Sequence, residues 1–417
     1  MTHSPRVERP GLDRIVVVGA SLAGLRACET LRTEGFGGAI VLVGAEDRLP
    51  YDRPPLSKQF LAGTWEADRI ALRHPDAVEA LGLDLRLGVP AIGLDTTVRS
   101  VVLADGTDVA YDGLVIGTGS APRRLPGTAG HANVHVLRTL DDAIALRRAI
   151  TTPGTRLVVI GAGFIGLEVA ATAKQAGADV SVVEAARAPL VRGAGADLGT
   201  ALAAIHDDAG VPIRCGVTVS GIEPDAVLLA DGTRLAADAV LVGIGAAPVT
   251  DWLAGSGLEL RDGVVVSPTL AAGPSAVFAA GDVARWTHPG LDEELRVEHW
   301  TNAAEHGALA ARNLLAAAGG GEPAAADAVP FVWSDQYGKR IQLLGRSTTV
   351  DGAAAEWTLL LGGLESRRFL AAYHDGGRLR GMLGLDMPRQ LMKYRPLLAR
   401  GAVLADAQRL AAEQAGH

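Results

Sequence analysis

The chain has 417 residues, enough for two or three domains, and its 48% hydrophobic and 21% charged residues are those of an ordinary soluble globular protein. A formal net charge of -8 offers nucleic acid or an anionic membrane no attraction, so an acidic partner needs a local basic patch. No apolar run reaches the roughly 20 residues of a membrane helix, the leader MTHSPRVERPGLDR lacks a signal-peptide shape, and a cytoplasmic protein is expected.

Residues 1–13 are expected to form a disordered arm. Residues 15–18 (IVVV) then read as a buried strand, Gly19, Ser21 and Gly24 stand in GxGxxG positions, 25–31 continue as a helix, and strand 40–43 leads to Glu46. Ser21 replaces the middle glycine, and a side chain there crowds the approach of a phosphate. Next, LPYDRPPLSKQFLAG pairs Pro54 and Pro55, which suit a helix start, with Gly63, which suits a helix stop. Residues 69–110 alternate short strands and turns, with Asp105-Gly106 as a hairpin signal. The run YDGLVIGTGSAPRRLPG is a strand closing on the small residues Thr118 and Gly119, and 141–150 reads as a helix.

The strand–glycine–helix–strand pattern then recurs in fuller form. In RLVVIGAGFIGLEVAATAKQAGADVSVVE, strand 157–160 precedes Gly161, Gly163 and Gly166, helix 167–175 follows, and strand 180–183 ends at Glu184. The glycines serve the tight turn, the approach of backbone amides to a pyrophosphate, and close packing of helix on strand; the acid is placed to accept hydrogen bonds from an adenosine ribose. Two such units in one chain point to one nucleotide held permanently and one that comes and goes, with FAD and NAD(P)H the obvious pair. Glu184 facing a 2′-phosphate at about 4 Å costs on the order of 4 kcal/mol at an effective dielectric of 20, as an upper bound, which favours NADH; Arg187 and Arg192 are near enough in sequence to soften this. Residues 211–242 repeat the short-strand pattern, with Asp231-Gly232 echoing Asp105-Gly106. The turn GIGAAP, holding Gly245, returns the chain to its first domain, and TLAAGPSAVFAAGDVAR carries strand 277–280, Gly281 and Asp282, a carboxylate at the start of the next element and a candidate helix cap. In EHWTNAAEHG, Thr301 can cap a helix and Trp300 is a core or cofactor residue. AAAGGGEPAAADA reads as a low-complexity linker, and a smaller domain of alternating strands follows, ending in an amphipathic helix near 388–398 and a polar tail.

The only cysteines, Cys28 and Cys215, form no CxxC and no metal-ligand spacing, so no metal site is expected and no dithiol stands ready to pass electrons to a disulfide.

Arg53 to Lys58 spells RPPLSK, and with GTGSAP, AAGDVAR, EHWTNA and WSDQYG it resembles the FAD-dependent ferredoxin, putidaredoxin and rubredoxin reductases over nearly the whole chain. The resemblance implies an α/β fold of two Rossmann-like dinucleotide-binding domains, of glutathione-reductase type, plus a smaller α+β C-terminal domain. The expected boundaries are 1–113 with 246–320 for FAD, 114–245 for NAD, and 321–417 for the C-terminal domain. It implies that Arg53 contacts FAD, that Lys58 stands near flavin N5 and pairs with Glu168, and that Thr118, Gly119 and Gly245 line the cofactor turns. Asp282 takes the ribityl chain, Trp300 lies beside the ring, and the helix led by Thr301 points at the flavin pyrimidine. Gly19, Ser21, Gly24 and Glu46 serve FAD; Gly161, Gly163, Gly166 and Glu184 serve NADH. Lys58, Glu168 and Trp300 are the expected catalytic residues, with Glu168 orienting the nicotinamide amide while hydride passes between stacked rings. The implied acceptor is a [2Fe-2S] ferredoxin that serves a cytochrome P450 or ring-hydroxylating oxygenase. Rubredoxin or a quinone as acceptor, or an NADH-sensing binding protein resembling apoptosis-inducing factor, are the alternatives. Arg312, Lys339 and Arg340 flank the flavin segments as candidate partner contacts.

Overall fold

The computed structural model describes residues 11–128, 130–273 and 276–415. Most of the predicted N-terminal arm and the last two residues lie outside this set. The chain divides into two compact units: one takes in the chain up to Asp52, Ile70–Ala121 and Ala247–Ala328, the other Arg53–Arg69, Pro122–Ala246 and everything from Val329 onward.

The first unit is built on a five-stranded parallel sheet in the order Val277–Ala279, Gly113–Ile116, Arg14–Val18, Ala39–Gly44, Leu83–Leu87. Strands covered on both faces need continuous apolar runs rather than alternation, which is why IVVV and AIVLVG form its centre. Helix Leu22–Thr33 follows the first strand and packs its small and apolar face inward. Two three-stranded sheets, one of them the meander Ala91–Asp95, Ser100–Leu103, Asp108–Ala110, complete the unit; Gly106, at φ 85, turns the predicted Asp105-Gly106 hairpin.

The second unit repeats the plan: parallel strands in the order Ile213–Cys215, Asp179–Glu184, Arg156–Ile160, Ala239–Val242, Val134–His135, with helix Phe164–Gln175 after the central strand. It also holds an antiparallel sheet in the order Phe331–Gln336, Lys339–Gly345, Arg378–Leu385, Arg368–Asp375, Glu356–Gly363.

Five local expectations differ from what forms. The amphipathic helix expected near 388–398 is two short helices, Pro388–Met392 and Arg395–Ala399, the second started by Pro396 in its first turn. RPPLSK makes one 3-10 turn, Pro54–Ser57, rather than a helix reaching Gly63: the prolines start the turn, but Lys58 leaves helical geometry at φ -125, ψ -104. Thr301 is not a cap, because helix Trp300–Ala318 begins one residue earlier with His299 as its N-cap. Asp282 caps no long helix; it sits within the 3-10 turn Gly281–Val283. The tail is not merely polar: Leu404–Ala415 is a helix whose Leu404, Ala407, Leu410 and Ala411 recur at i, i+3, i+6, i+7, and Ala407 and Ala411 are buried. The low-complexity stretch is irregular but tied down, with Asn313 bonded to both the N–H and C=O of Ala324, and the Trp286 indole donating to Ala326 O.

Candidate functional site: two glycine turns and a buried carboxylate

In the first unit, Gly19 takes φ +120, and an added Cβ would lie 2.1 Å from Gly117 O; at Gly24 it would lie 2.0 Å from Gly19 O. Both positions are closed to any side chain. Ser21 stands at the helix N-terminus in extended geometry, φ -128, which any residue adopts. Beyond the second strand, Glu46 accepts a 2.5 Å hydrogen bond from the Tyr51 hydroxyl. Thr118 turns its hydroxyl onto Val249 O at 2.8 Å, beside Gly119 at φ +68. Asp282 is 8% exposed and accepts from Ser120 Oγ at 2.8 Å, while Arg296 donates to its backbone carbonyl. The Trp300 indole N–H donates to Asp52 at 2.7 Å. Ser120, Tyr51 and Asp52 are partners that sequence reasoning passed over.

The second unit repeats the turn more strictly. Gly161 has φ +106 with a Cβ position 2.4 Å from Gly243 O, and at Gly166 the distance to Gly161 O is 2.2 Å. Gly163 differs from both: it has φ -83, and nothing lies within 4 Å of where its Cβ would be. It caps helix Phe164–Gln175 with no side-chain bond and no acid in the first turn, so the positive end of the dipole is left without a side-chain partner, the arrangement that binds anions. Glu184 braces this turn, accepting from Ala162 N and Ala186 N at 2.7 Å each. Gly245, at φ +105, lies against the Arg192 guanidinium. Arg53 also belongs to this unit, and donates to Arg138 O at 2.6 Å.

Glu168, 5% exposed, is a buried acid with three side-chain donors. Its Oε2 accepts from Lys58 Nζ at 2.7 Å and Ser57 Oγ at 2.5 Å, and its Oε1 from Ser334 Oγ at 2.6 Å. Lys58 also donates to Pro54 O at 3.0 Å, and Thr172 Oγ1 donates to Ser57 O at 2.8 Å, so the RPPLSK turn and helix Phe164–Gln175 are pinned together by this carboxylate and by Thr172. A buried ion pair survives only when most of its remaining donors and lone pairs are satisfied, and the two serines supply two of the donors that Glu168 needs. Ser57 and Ser334 are the residues that sequence reasoning missed at this centre, although both lie inside quoted motifs, RPPLSK and WSDQYG.

The candidate partner cations are all matched: Arg312 by Glu34, Lys339 by Asp386 and Arg340 by Asp335. Cys28 and Cys215 are free; burial pushes the Cys28 thiol up to about 12. Among the described residues no group of three or more His, Cys, Asp or Glu is arranged to hold a metal ion, and no helix is long and apolar enough to cross a membrane.

Two glycine turns of this kind, each between parallel strands, lead to comparison with known proteins. The model of the pyridine nucleotide-disulphide oxidoreductase family matches residues 13–307, and a reductase C-terminal domain matches 331–415. The chain belongs to this family. Its relatives include the putidaredoxin reductase of Pseudomonas putida, 36% identical over 93% of this chain and 92% of that protein. Another is the ferredoxin–NAD(+) reductase component of the anthranilate 1,2-dioxygenase system of Burkholderia cepacia, 35% identical over 96% and 97%. The crystal structure of the covalent putidaredoxin reductase–putidaredoxin complex superposes with a TM-score of 0.87, at 34% identity and 93% coverage of both chains. This family member is therefore an oxidoreductase of the ferredoxin reductase group, with the two-dinucleotide-domain fold and appended C-terminal domain.

Proposed function

We propose that this oxidoreductase takes hydride from NADH onto FAD and releases the electrons singly to a [2Fe-2S] ferredoxin that serves a cytochrome P450 or a ring-hydroxylating oxygenase. The observation that carries this reading is likeness across more than nine-tenths of the chain to reductases named for putidaredoxin and for ferredoxins. A chain with two unpaired cysteines, one of them a deeply buried thiol, supports an external acceptor over an internal dithiol relay.

The residues fit the two nucleotides. In the first unit the turn Gly19–Gly24, Glu46, Thr118, Gly119, Asp282 and Trp300 are assigned to FAD, with Arg53 and Lys58 added from the RPPLSK turn. Asp282, buried and already accepting from Ser120, suits a polyol hydroxyl. In the second unit the open space over Gly163 suits a pyrophosphate that must approach bare amides, and Glu184 a ribose. FAD supplies the two-electron to one-electron conversion; the chain supplies placement. Lys58 holds a positive charge beside Glu168, and Glu168 offers an acceptor to the nicotinamide carboxamide. The domain assignment, with 1–113 and 246–320 for FAD, 114–245 for NADH and 321–417 beyond, and the cytoplasmic setting are part of the same proposal.

The test is stopped-flow spectroscopy under nitrogen. The purified yellow protein is mixed with NADH, and the reduced protein with a [2Fe-2S] ferredoxin, a rubredoxin or a quinone. Rapid bleaching followed by fast electron transfer to the ferredoxin is expected. Reduction by NADH with no transfer to any iron–sulfur carrier would remove the ferredoxin assignment.

A further inference from the structure

Behind Glu168 lies a line of buried polar side chains that no part of the proposed reaction uses. Ser334 and His206 are fully buried, and Gln336 is 2% exposed. Gln336 Nε2 donates to Ser334 Oγ at 3.0 Å, Gln336 Oε1 meets His206 Nε2 at 2.9 Å, and His206 Nδ1 meets the Tyr337 hydroxyl at 3.3 Å.

The direction of every proton in this line follows from its last member. A carboxylate paired with Lys58 only accepts, so Ser334 must donate to it; Ser334 then accepts from the Gln336 amide, whose oxygen must accept from His206. His206 is thereby a neutral imidazole carrying its proton on Nε2, with Tyr337 donating to Nδ1. Burial, which pushes the His206 pKa down, agrees with the neutral ring. All four donors point toward Glu168, and hydrogen bonds aligned in one direction polarise and strengthen one another.

A carboxylate has about four lone-pair sites. Lys58 and Ser57 take the two on Oε2, and Ser334 takes one on Oε1. One acceptor site remains, on Oε1, in a direction set by Ser334. We propose that Ser334, held by Gln336 and His206, is the positioning residue of this reductase: it fixes the one Glu168 lone pair left to receive the nicotinamide carboxamide N–H. The inference rests on the assignment of Glu168 to the nicotinamide made above. It gives the antiparallel C-terminal sheet, whose first strand carries Ser334 and Gln336, a share in hydride-transfer geometry.

The experiment uses the full-length FAD-loaded protein. Ser334→Ala is expected to lower the limiting rate of anaerobic reduction by NADH about tenfold, as one misdirected hydrogen bond allows, while the apparent Kd for NADH moves less than twofold. Ser334→Thr, which keeps the hydroxyl, recovers most of the rate. In a Glu168→Gln background Ser334→Ala causes no further loss; a full second tenfold loss would show a purely structural role and overturn the proposal. If Ser334→Ala does not fold, Gln336→Met carries the same comparison with a smaller expected fall. A separate readout is the long-range nitrogen-15 NMR spectrum of the histidines, with His206 assigned through His206→Asn. The Nε2–H tautomer at neutral pH is expected, and an Nδ1–H or charged ring would overturn the directed chain even in a protein that NADH does not reduce. Wild-type protein inert to NADH but with the Nε2–H tautomer would instead remove the functional reading and leave the hydrogen-bond line intact.

Discussion

Gly163→Ala separates the fold from the cofactor more cleanly than any other single change. At φ -83 and ψ 178 an alanine is unstrained, and its Cβ meets no heavy atom within 4 Å. Restricting the unfolded chain contributes about 0.4–1 kcal/mol of stability, and replacing glycine by alanine at an N-cap costs a comparable few tenths to 1 kcal/mol, so the melting temperature should hardly move. A pyrophosphate laid on the same amides meets that methyl directly. Losing one or two charge-assisted hydrogen bonds at about 1.5 kcal/mol each weakens NADH binding about ten- to a hundredfold. The apparent Kd for NADH from anaerobic stopped-flow reduction, beside a thermal melt, reads both quantities. Gly161→Ala is the contrasting control: its φ is +106 and its Cβ would lie 2.4 Å from Gly243 O, so it should fail as a fold. If Gly163→Ala melts like the wild type and binds NADH within twofold of it, the dinucleotide does not lie on this turn and the placement is wrong.

Lys58→Met strips the counter-charge from a carboxylate that is 5% exposed; breaking a buried pair in this way costs about 3–5 kcal/mol, read as a lowered denaturation midpoint, and Glu168→Gln in the same chain should restore much of it. Glu184→Ala removes a negative charge and should raise NADPH use relative to NADH; an unchanged ratio of kcat/KM values would leave Glu184 as a brace for Ala162 and Ala186 alone. His306, packed edge-on against Trp286 with ring centroids 4.5 Å apart, is held near pKa 3 by burial first and His288 second. Between that value and the unfolded value near 6.5, the unfolded chain takes up a proton that the folded chain refuses. Stability present above pH 6.5 is therefore lost on acidification, by at most ~1.4 kcal/mol per pH unit, and His306→Phe should flatten urea midpoints measured from pH 7 to pH 5. Cys28, its thiol raised to about 12, should resist maleimide at pH 7.5 until the protein is denatured; rapid labelling of the native protein at Cys28 would contradict its burial.

The glycine turns, their flanking strands and the acids that close them were legible along the chain because each is a local object. A backbone forced to φ +106 at Gly161, or one that at Gly166 would set any Cβ 2.2 Å from the carbonyl oxygen of Gly161 five residues before, demands glycine. Runs such as IVVV and RLVVI, β-branched and set directly before a glycine turn, are readable too, since strands covered on both faces use such runs. The end of the chain was legible only in part: the i, i+3, i+6, i+7 spacing of Leu404, Ala407, Leu410 and Ala411 is present in the sequence, but alanines carry little hydrophobic signal until a sheet is there to cover them.

The partners of Glu168 are the reverse case. Ser57 lies 111 residues before it and Ser334 166 residues after it, and a serine in either motif reads as one more small polar residue. Gln336 and His206, 130 residues apart, show no spacing that links them. Local sequence therefore determined that this chain folds into two dinucleotide-type units and where each turn is bare. Only the tertiary structure decided which side chains surround the buried carboxylate, because burying a charge creates a demand for donors that residues far apart in the chain must meet together.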